Sequence, residues 1–166
     1  MILGMTTSTF TLVHVLLSLV GIGSGFIVIF GLLNGKRLDG WTAIFLASTV
    51  ATSATGFLFP FDHLLPSHKV GIISLVVLAV AVLARYAFHM TGPWQRFYVV
   101  CAAVALYLNV FVAVVQAFLK VPALQAMAPT QTEPPFLVAQ TLVLLVFVGL
   151  TILAAKRFHT EPARAA

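Results

Sequence analysis

The amino-acid sequence predicts an all-α, polytopic membrane protein, a single bundle of five transmembrane helices. Three observations carry this prediction: 61% of the 166 residues are hydrophobic, 8% are charged, and the mean hydropathy is +1.09. A soluble domain of average composition has about 25% charged residues, so this chain carries too few charges to cover a water-exposed surface. The composition therefore excludes a soluble enzyme, a disordered chain and a fibrous repeat.

Five runs that are nearly free of charge are each long enough to cross a bilayer, which requires about 20 residues of apolar helix. A β-barrel is excluded because apolar runs such as residues 75–83 do not alternate with polar residues. Arg85 lies near the end of the third run, where its side chain is expected to snorkel to the lipid headgroups. Within one domain of residues 1–166, the predicted helices are about residues 10–33, 41–60, 69–89, 95–119 and 136–155.

The first run and the longest connection each need a separate interpretation. No Lys or Arg precedes Lys36, and the first apolar run has the length of a full span. This pattern favours a retained first helix over a secretory signal. The connection of residues 120–135 is polar and rich in proline, and it is predicted to carry a short surface helix around Pro122–Met127.

The basic residues predict the orientation of the bundle. With the N-terminus outside, seven Lys and Arg residues fall on the cytoplasmic side and two, Lys69 and Lys120, fall on the other. This positive-inside bias predicts an N-out, C-in topology. The pI near 9.9 therefore reflects membrane orientation, and no nucleic-acid partner is indicated. The seven cytoplasmic residues are Lys36, Arg37, Arg85, Arg96, Lys156, Arg157 and Arg164.

With that topology, intramembrane polar residues gather in the non-cytoplasmic half of all five helices. His14, Ser18, Gly21 and Gly25 recur at helical spacing on one face of the first helix. Because polar groups are costly in lipid, such faces point into the bundle and predict a polar pocket open to the outside. The alternative interpretation is interhelical hydrogen bonding without any ligand. The other polar residues at this depth are Thr52, Ser53, Thr55, Ser74, Asn109, Gln116, Gln140 and Thr141.

Two kinds of ligand suit the predicted pocket, and the sequence does not choose between them. Haem b needs two His residues at matched depth, a condition that His14 meets with His68 or with His63. A quinone or another small lipophilic molecule is the second candidate, held by His14, Asn109 and Gln116. Asp62 with the neighbouring His residues also suggests a transition-metal site, although the spacing is not a standard one. The candidate cofactor-binding residues are His14, His63, His68, Asn109, Gln116 and Gln140.

Other functional classes have less support. None of the four acidic residues lies within a predicted span, which disfavours an ion-coupled carrier, and no soluble-type catalytic motif is present, so no catalytic residue is named. Cys101 is expected to be inert core, and Trp41, Trp94 and Tyr98 are expected to form an interfacial aromatic belt. The leading hypothesis is a protein that binds a cofactor or small molecule in this pocket, for example a redox accessory that holds one haem b or a quinone. The alternatives are an oligomeric pore and a structural or assembly subunit without a ligand. The bundle is expected to form a homo-oligomer or to dock to a membrane-protein partner.

Residues 55–71, residues 120–136 and the segment Tyr107-Leu108-Asn109-Val110-Phe111 resemble a group of small five-helix membrane proteins of bacteria. The resemblance covers most of the chain. It implies a location in the bacterial inner membrane, and it implies no activity and no site residue.

Overall fold

The computed structural model describes residues 2–60 and 66–158, and these two ranges contain helices and no β-strand. The short helix α5 lies where the sequence analysis placed it, so that prediction is confirmed. Helix α3 continues without a break into a π-helical turn, Leu83–Ala87. The helices are α1 (Thr7–Leu33), α2 (Asp39–Gly56), α3 (Pro66–Val82), α4 (Trp94–Lys120), α5 (Pro122–Met127) and α6 (Pro134–Arg157).

The ends of α2 and α3 differ from the predicted ends for a local reason. After Gly56 the chain turns: the backbone N–H groups of Phe57 and Leu58 bond to the carbonyls of Ala54 and Thr55. Pro60 disfavours helical geometry in the residue before it, so α2 does not extend to residue 60. Helix α3 begins earlier than predicted, at Pro66, because proline is well suited to the first turn of a helix.

Among the described residues, four helices are long enough and apolar enough to cross a membrane: Thr7–Leu33, His68–Ala87, Trp94–Lys120 and Pro134–Arg157. This is the pattern of a multi-pass membrane protein. Helix α2, with 18 residues, is rich in Thr and Ser and is not among the four. The count of five spans therefore stays a prediction.

Four of the long helices pack as a closed ring, and the fifth long helix lies outside it. Helices α1 and α3 each contact both α2 and α4, and α6 packs on α4 and α1 from outside the ring. The start of α1 meets the end of α2, where His14 bonds to Thr55. The start of α2 meets the end of α3, where Asp39 bonds to Arg85. We call these the His14 end and the Arg85 end of the bundle.

The exterior of the bundle is apolar and its interior holds polar side chains, the reverse of a soluble protein. The exposed large apolar residues include Leu12, Leu16, Val76, Leu142 and Leu145, each more than half exposed. The buried polar residues include Ser24, Ser48, Thr49, Arg85 and Asn109. Such a distribution suits a chain whose surroundings are hydrocarbon, where polar groups are satisfied inside the bundle.

A close approach of α1 to its neighbours seals the middle of the ring. A Cβ atom added to Gly25 would lie 2.6 Å from Leu106 Cδ1 and 2.9 Å from Phe45 Cδ2. Leu106 and Phe45 are both fully buried. Glycine at position 25 therefore lets two large side chains close the bundle core directly against the α1 backbone.

At the Arg85 end, two predictions about the membrane interface are wrong. Arg85 does not snorkel outward; it is only 4% exposed, and its guanidinium forms an ion pair with Asp39. The same guanidinium lies 5.4 Å from the ring centroid of Tyr98 and 5.6 Å from that of Tyr86. Tyr98 is fully buried and does not belong to an interfacial belt. The carboxylate and the two aromatic faces make burial of this charge possible.

Candidate binding site

A small cavity, the polar chamber, lies inside the ring at the His14 end. Its volume is about 100 Å³, and side chains from α1, α2, α3 and α4 form its wall. Most of the polar groups in this wall are hydroxyls, and they belong to short side chains. The polar wall residues are His14, Ser18, Thr52, Ser53, His68, Ser74 and Asn109.

A larger cavity, the vestibule, adjoins the chamber and has a volume of about 570 Å³. Its wall comes mainly from α1 and α4 and includes the aliphatic residues Val15, Leu19 and Ile22. Val15 and Leu19 are also exposed on the apolar exterior, so the vestibule reaches the outer surface between α1 and α4. The two cavities share His14, Ser18, Gly56, His68 and Val112 as wall residues.

His14 stands where the two cavities meet and is held by α2. Its Nδ1 atom lies 2.9 Å from Thr55 Oγ1, and Thr55 in turn donates a hydrogen bond of 2.7 Å to the Ala51 carbonyl. The Phe59 ring packs edge-on against the imidazole, with 5.2 Å between ring centroids. Gly56 leaves space beside the imidazole, since an added Cβ would lie 3.7 Å from His14 Cε1. The ring is therefore held at Nδ1, and it lines both cavities beside Gly56.

Asn109 joins α4 to α1 at the base of the chamber. Ser18 donates a hydrogen bond of 3.0 Å to Asn109 Oδ1, and the Asn109 side chain is 8% exposed. Its Nδ2 atom lies against α1, 3.0 Å from where a Cβ of Gly21 would be. Within residues 2–60 and 66–158, this Nδ2 atom has no hydrogen-bond partner. A buried amide donor without a partner costs free energy unless a ligand or water satisfies it.

Hydroxyl groups complete the chamber wall. Ser53 on α2 donates a hydrogen bond of 3.0 Å to Ser74 Oγ on α3, which leaves the hydrogen of Ser74 available. Thr52 Oγ1 is buried and, in the part of the chain that the structure describes, it has no partner. The wall therefore offers hydroxyl donors without any formal charge.

The six sequence-predicted site residues do not all lie together. His14, His68 and Asn109 line the same chamber, and Gln116 is exposed and lines the vestibule. Gln140 lines neither cavity: it lies between α6 and α4, where its Nε2 atom donates a hydrogen bond of 3.2 Å to the Phe111 carbonyl. His63 lies outside the described residues.

Several residues at or beside the chamber wall were not selected as candidates from the sequence. Thr55 positions His14, Ser74 faces α2 across the chamber, and Gly56 leaves space beside the imidazole. Thr52 and Thr55 lie three residues apart on one face of α2, a spacing that signals a polar helix face. No comparable signal marks Gly56, because its role depends on how α1 and α2 pack.

The charges around the site are few. None of the described residues that line the chamber is Asp, Glu, Lys or Arg, and Lys120 is the basic residue of the vestibule wall. Among the described residues, no group of three or more His, Cys, Asp or Glu side chains could hold a metal ion. Asp62, the acidic residue of the suggested metal site, is outside those residues. The described site is therefore suited to an uncharged polar group.

No family model, no curated protein and no solved structure matches this chain.

Proposed function

We propose that this protein binds a small lipophilic molecule with an uncharged polar head, of which a quinone-type molecule is the model case. The head occupies the polar chamber, and the apolar tail lies in the vestibule. The observation that carries this proposal is that a small polar cavity and a larger aliphatic one meet at His14, Ser18 and His68.

The dimensions of the two cavities support the placement of the head in the chamber and of the tail in the vestibule. Pockets for small molecules usually measure about 300–1,000 Å³, and the vestibule at about 570 Å³ falls within that range. The chamber at about 100 Å³ suits a compact head group. The opening between α1 and α4 gives a lipophilic ligand a route from the hydrocarbon of the membrane, without passage through water.

The closed core supports binding over conduction. Phe45 and Leu106 pack against Gly25 below the chamber, so a path for ions through the ring would have to displace two fully buried side chains. An oligomeric pore and a subunit without any ligand are the competing proposals. The first predicts conductance in liposomes, and the second predicts that no lipophilic ligand stabilises the purified protein.

We place the chamber on the non-cytoplasmic side of a bacterial inner membrane. The Arg85 end carries Lys36, Arg37, Arg96, Lys156 and Arg157, whereas Lys69 and Lys120 lie at the His14 end. An excess of basic residues is typical of cytoplasmic ends. Labelling of single cysteines introduced at Lys36 and Lys69, from each side of sealed vesicles, tests this orientation.

The binding proposal is tested with a matched pair of glycine substitutions. A leucine at Gly56 would fill the junction of the two cavities, whereas Gly23 has open space around it and lies on the exterior. We expect Gly56→Leu to weaken binding of a decyl-benzoquinol probe at least tenfold, and Gly23→Leu to leave it unchanged. Calorimetry with the protein in lipid nanodiscs measures both. Equal binding by the two variants, both folded, contradicts the proposal.

Haem b is the second candidate, and a specific observation favours it. Iron-ligating histidines usually donate their other ring N–H to a neighbouring oxygen, and His14 has such a neighbour in Thr55. The buried His68 lines the same two cavities, which makes it the candidate for the second axial ligand. Haem would supply one-electron redox chemistry there. A Soret band that is lost in His14→Ala supports this candidate, and a featureless visible spectrum after reconstitution with haem rejects it.

A further inference from the structure

We infer that the chamber selects lipophilic molecules whose head carries a hydroxyl group, such as a quinol, over forms of the same molecule that carry only carbonyl oxygens. This inference rests on the proposed function and narrows its ligand class. It follows from the direction of the hydrogen bonds around His14.

The hydroxyl of Thr55 determines which nitrogen of His14 carries the proton. A hydroxyl has one hydrogen, and Thr55 directs it to the Ala51 carbonyl over a distance of 2.7 Å. In the contact of 2.9 Å between Thr55 Oγ1 and His14 Nδ1, the histidine must therefore be the donor and the threonine oxygen the acceptor. Neutral His14 is accordingly protonated on Nδ1, and Nε2 is left as an acceptor.

The second nitrogen is available to a ligand. In the described part of the chain, the hydrogen bond to Thr55 is the one that the imidazole makes, and the ring lines both cavities. A head group with a hydroxyl can donate to Nε2. A carbonyl oxygen has no hydrogen to give and would leave this acceptor unsatisfied.

Two hydroxyl groups of the wall can bind either form of the head, so they do not offset this preference. Thr52 Oγ1 has no partner among the described residues, and Ser74 keeps its hydrogen after accepting the bond from Ser53. Both can donate to a carbonyl or to a hydroxyl oxygen. The preference for a hydroxyl head over a carbonyl head therefore depends on His14.

Leaving one buried acceptor unpaired typically costs enough to change affinity by about tenfold to a hundredfold. Sites that hydrogen-bond a ligand hydroxyl reject analogues that lack it for this reason. We therefore expect the reduced form of a benzoquinone probe to bind at least tenfold more tightly than the oxidised form.

The experiment compares decyl-benzoquinol with decyl-benzoquinone under anaerobic conditions, using the full chain in nanodiscs. A decylphenol and its methyl ether form a second pair that differs in the hydroxyl alone, which distinguishes quinol chemistry from recognition of any hydroxyl. We expect the hydroxyl form to bind more tightly in both pairs. A preference in the quinol pair alone would mean that the protein recognises the whole quinol ring. That result would overturn the inference that head groups with a hydroxyl are preferred in general.

Two threonine variants identify the source of the preference. Thr55→Val removes the acceptor for Nδ1–H, so both tautomers of His14 become accessible and the preference should fall below threefold while binding persists. Thr52→Val, on the same face of α2, should keep the preference. His14→Phe should remove the preference as well.

The outcomes separate this inference from the proposed function. Equal affinities for quinol and quinone in the wild-type protein would overturn the inference and leave the proposed function standing. Absence of binding by all four probes would overturn the proposed function itself. An unchanged preference in Thr55→Val would show that the tautomer argument is wrong.

Discussion

The two ends of the bundle use buried polar side chains in opposite ways. At the Arg85 end, a buried guanidinium is held by Asp39 and by two tyrosine rings, and neither cavity of the candidate site reaches it. At the His14 end, Asn109 Nδ2 and Thr52 Oγ1 are buried without partners among the described residues, beside a cavity. The first arrangement joins helices, and the Tyr98 hydroxyl found there, also unpaired in the described part of the chain, lines neither cavity of the site. The second arrangement leaves hydrogen-bonding groups unpaired on residues that line a cavity.

This difference qualifies the rule that a polar residue within a membrane marks a functional site. Arg85 is the most costly side chain in the core, yet its contacts account for it structurally. The uncharged amide and hydroxyls at the other end are less costly, but their hydrogen-bonding capacity is not used up. In this molecule, an unpaired hydrogen-bonding group beside a cavity is therefore a better indication of function than a buried charge.

The largest expected effect tests the Arg85 end. Asp39→Ala leaves a buried guanidinium without its counter-ion and should cost about 3 kcal/mol of stability. Arg85→Met should cost less, about 1 kcal/mol, because the Asp39 carboxylate that it leaves behind is already 72% exposed. Unfolding in mild detergent measures both, with Arg96→Met as the control at an exposed position. If Arg85→Met were the more damaging variant, the ion pair would not be the main contribution of Arg85.

The next effect concerns the seal that separates the two ends. Gly25→Ala forces a methyl group into Leu106 and Phe45 and should destabilise the bundle by about 2 kcal/mol. Gly23→Ala on the same helix meets nothing within 4 Å and should be neutral or slightly stabilising. The melting temperatures of the two variants in the same detergent provide the comparison. Equal values would mean that α1 is not held closely at Gly25.

A smaller effect is expected at the His14 end. Ser18→Ala removes the hydrogen bond to Asn109, and interhelical hydrogen bonds of this kind contribute about 0.6 kcal/mol on average. Stability should therefore change little, while probe binding should weaken. A loss above about 2 kcal/mol, measured by the same unfolding assay, would instead show that this end is also built mainly to join helices.

The smallest effect is a pH dependence in the connection before α6. Desolvation by neighbouring residues acts to raise the pKa of Glu133, but hydrogen bonds donated by Thr130 and Thr132 outweigh it and hold the pKa below its ordinary value. Because the pKa is lowered in the folded state, these bonds stabilise the fold above the ordinary carboxyl pKa. Their contribution is lost as the pH falls through the lowered value.

Unfolding of the wild type and of Glu133→Gln across this acidic range measures the effect. The wild type should be slightly more stable near neutral pH, and the difference should shrink toward acid. A difference that grows as the pH falls would contradict the assigned direction.

Much of the architecture could be predicted from the sequence, because long apolar runs and proline-rich connections depend on local composition. The same reasoning brought His14, His68 and Asn109 to the same half of the bundle, since helix spacing and chain direction determine depth. It did not distinguish Gln116 on the vestibule wall from Gln140 between α4 and α6. That distinction depends on which helices are neighbours, which periodicity within one helix does not encode.

The burial of Arg85 was missed for a related reason. A charged residue near the end of an apolar run normally reaches toward water. Its partner Asp39 lies 46 residues away in sequence and comes close only when α2 and α3 pack. The alternation of helix directions puts both residues at the same end, so a search for opposite charges at matched depth would have suggested the pair.

The π-helical turn Leu83–Ala87 gives the chain a point at which a helix can lose one residue and keep its packing register. A wide turn of this kind accommodates an extra residue within an otherwise regular helix. Deletion of that residue would restore regular α-helical winding, and the segments on both sides would keep the faces that they now pack. The same deletion in the middle of α4 would rotate the residues on one side by about 100° against those on the other. A one-residue deletion within the π-helical turn that spares Arg85 should therefore be tolerated better than one in the middle of α4.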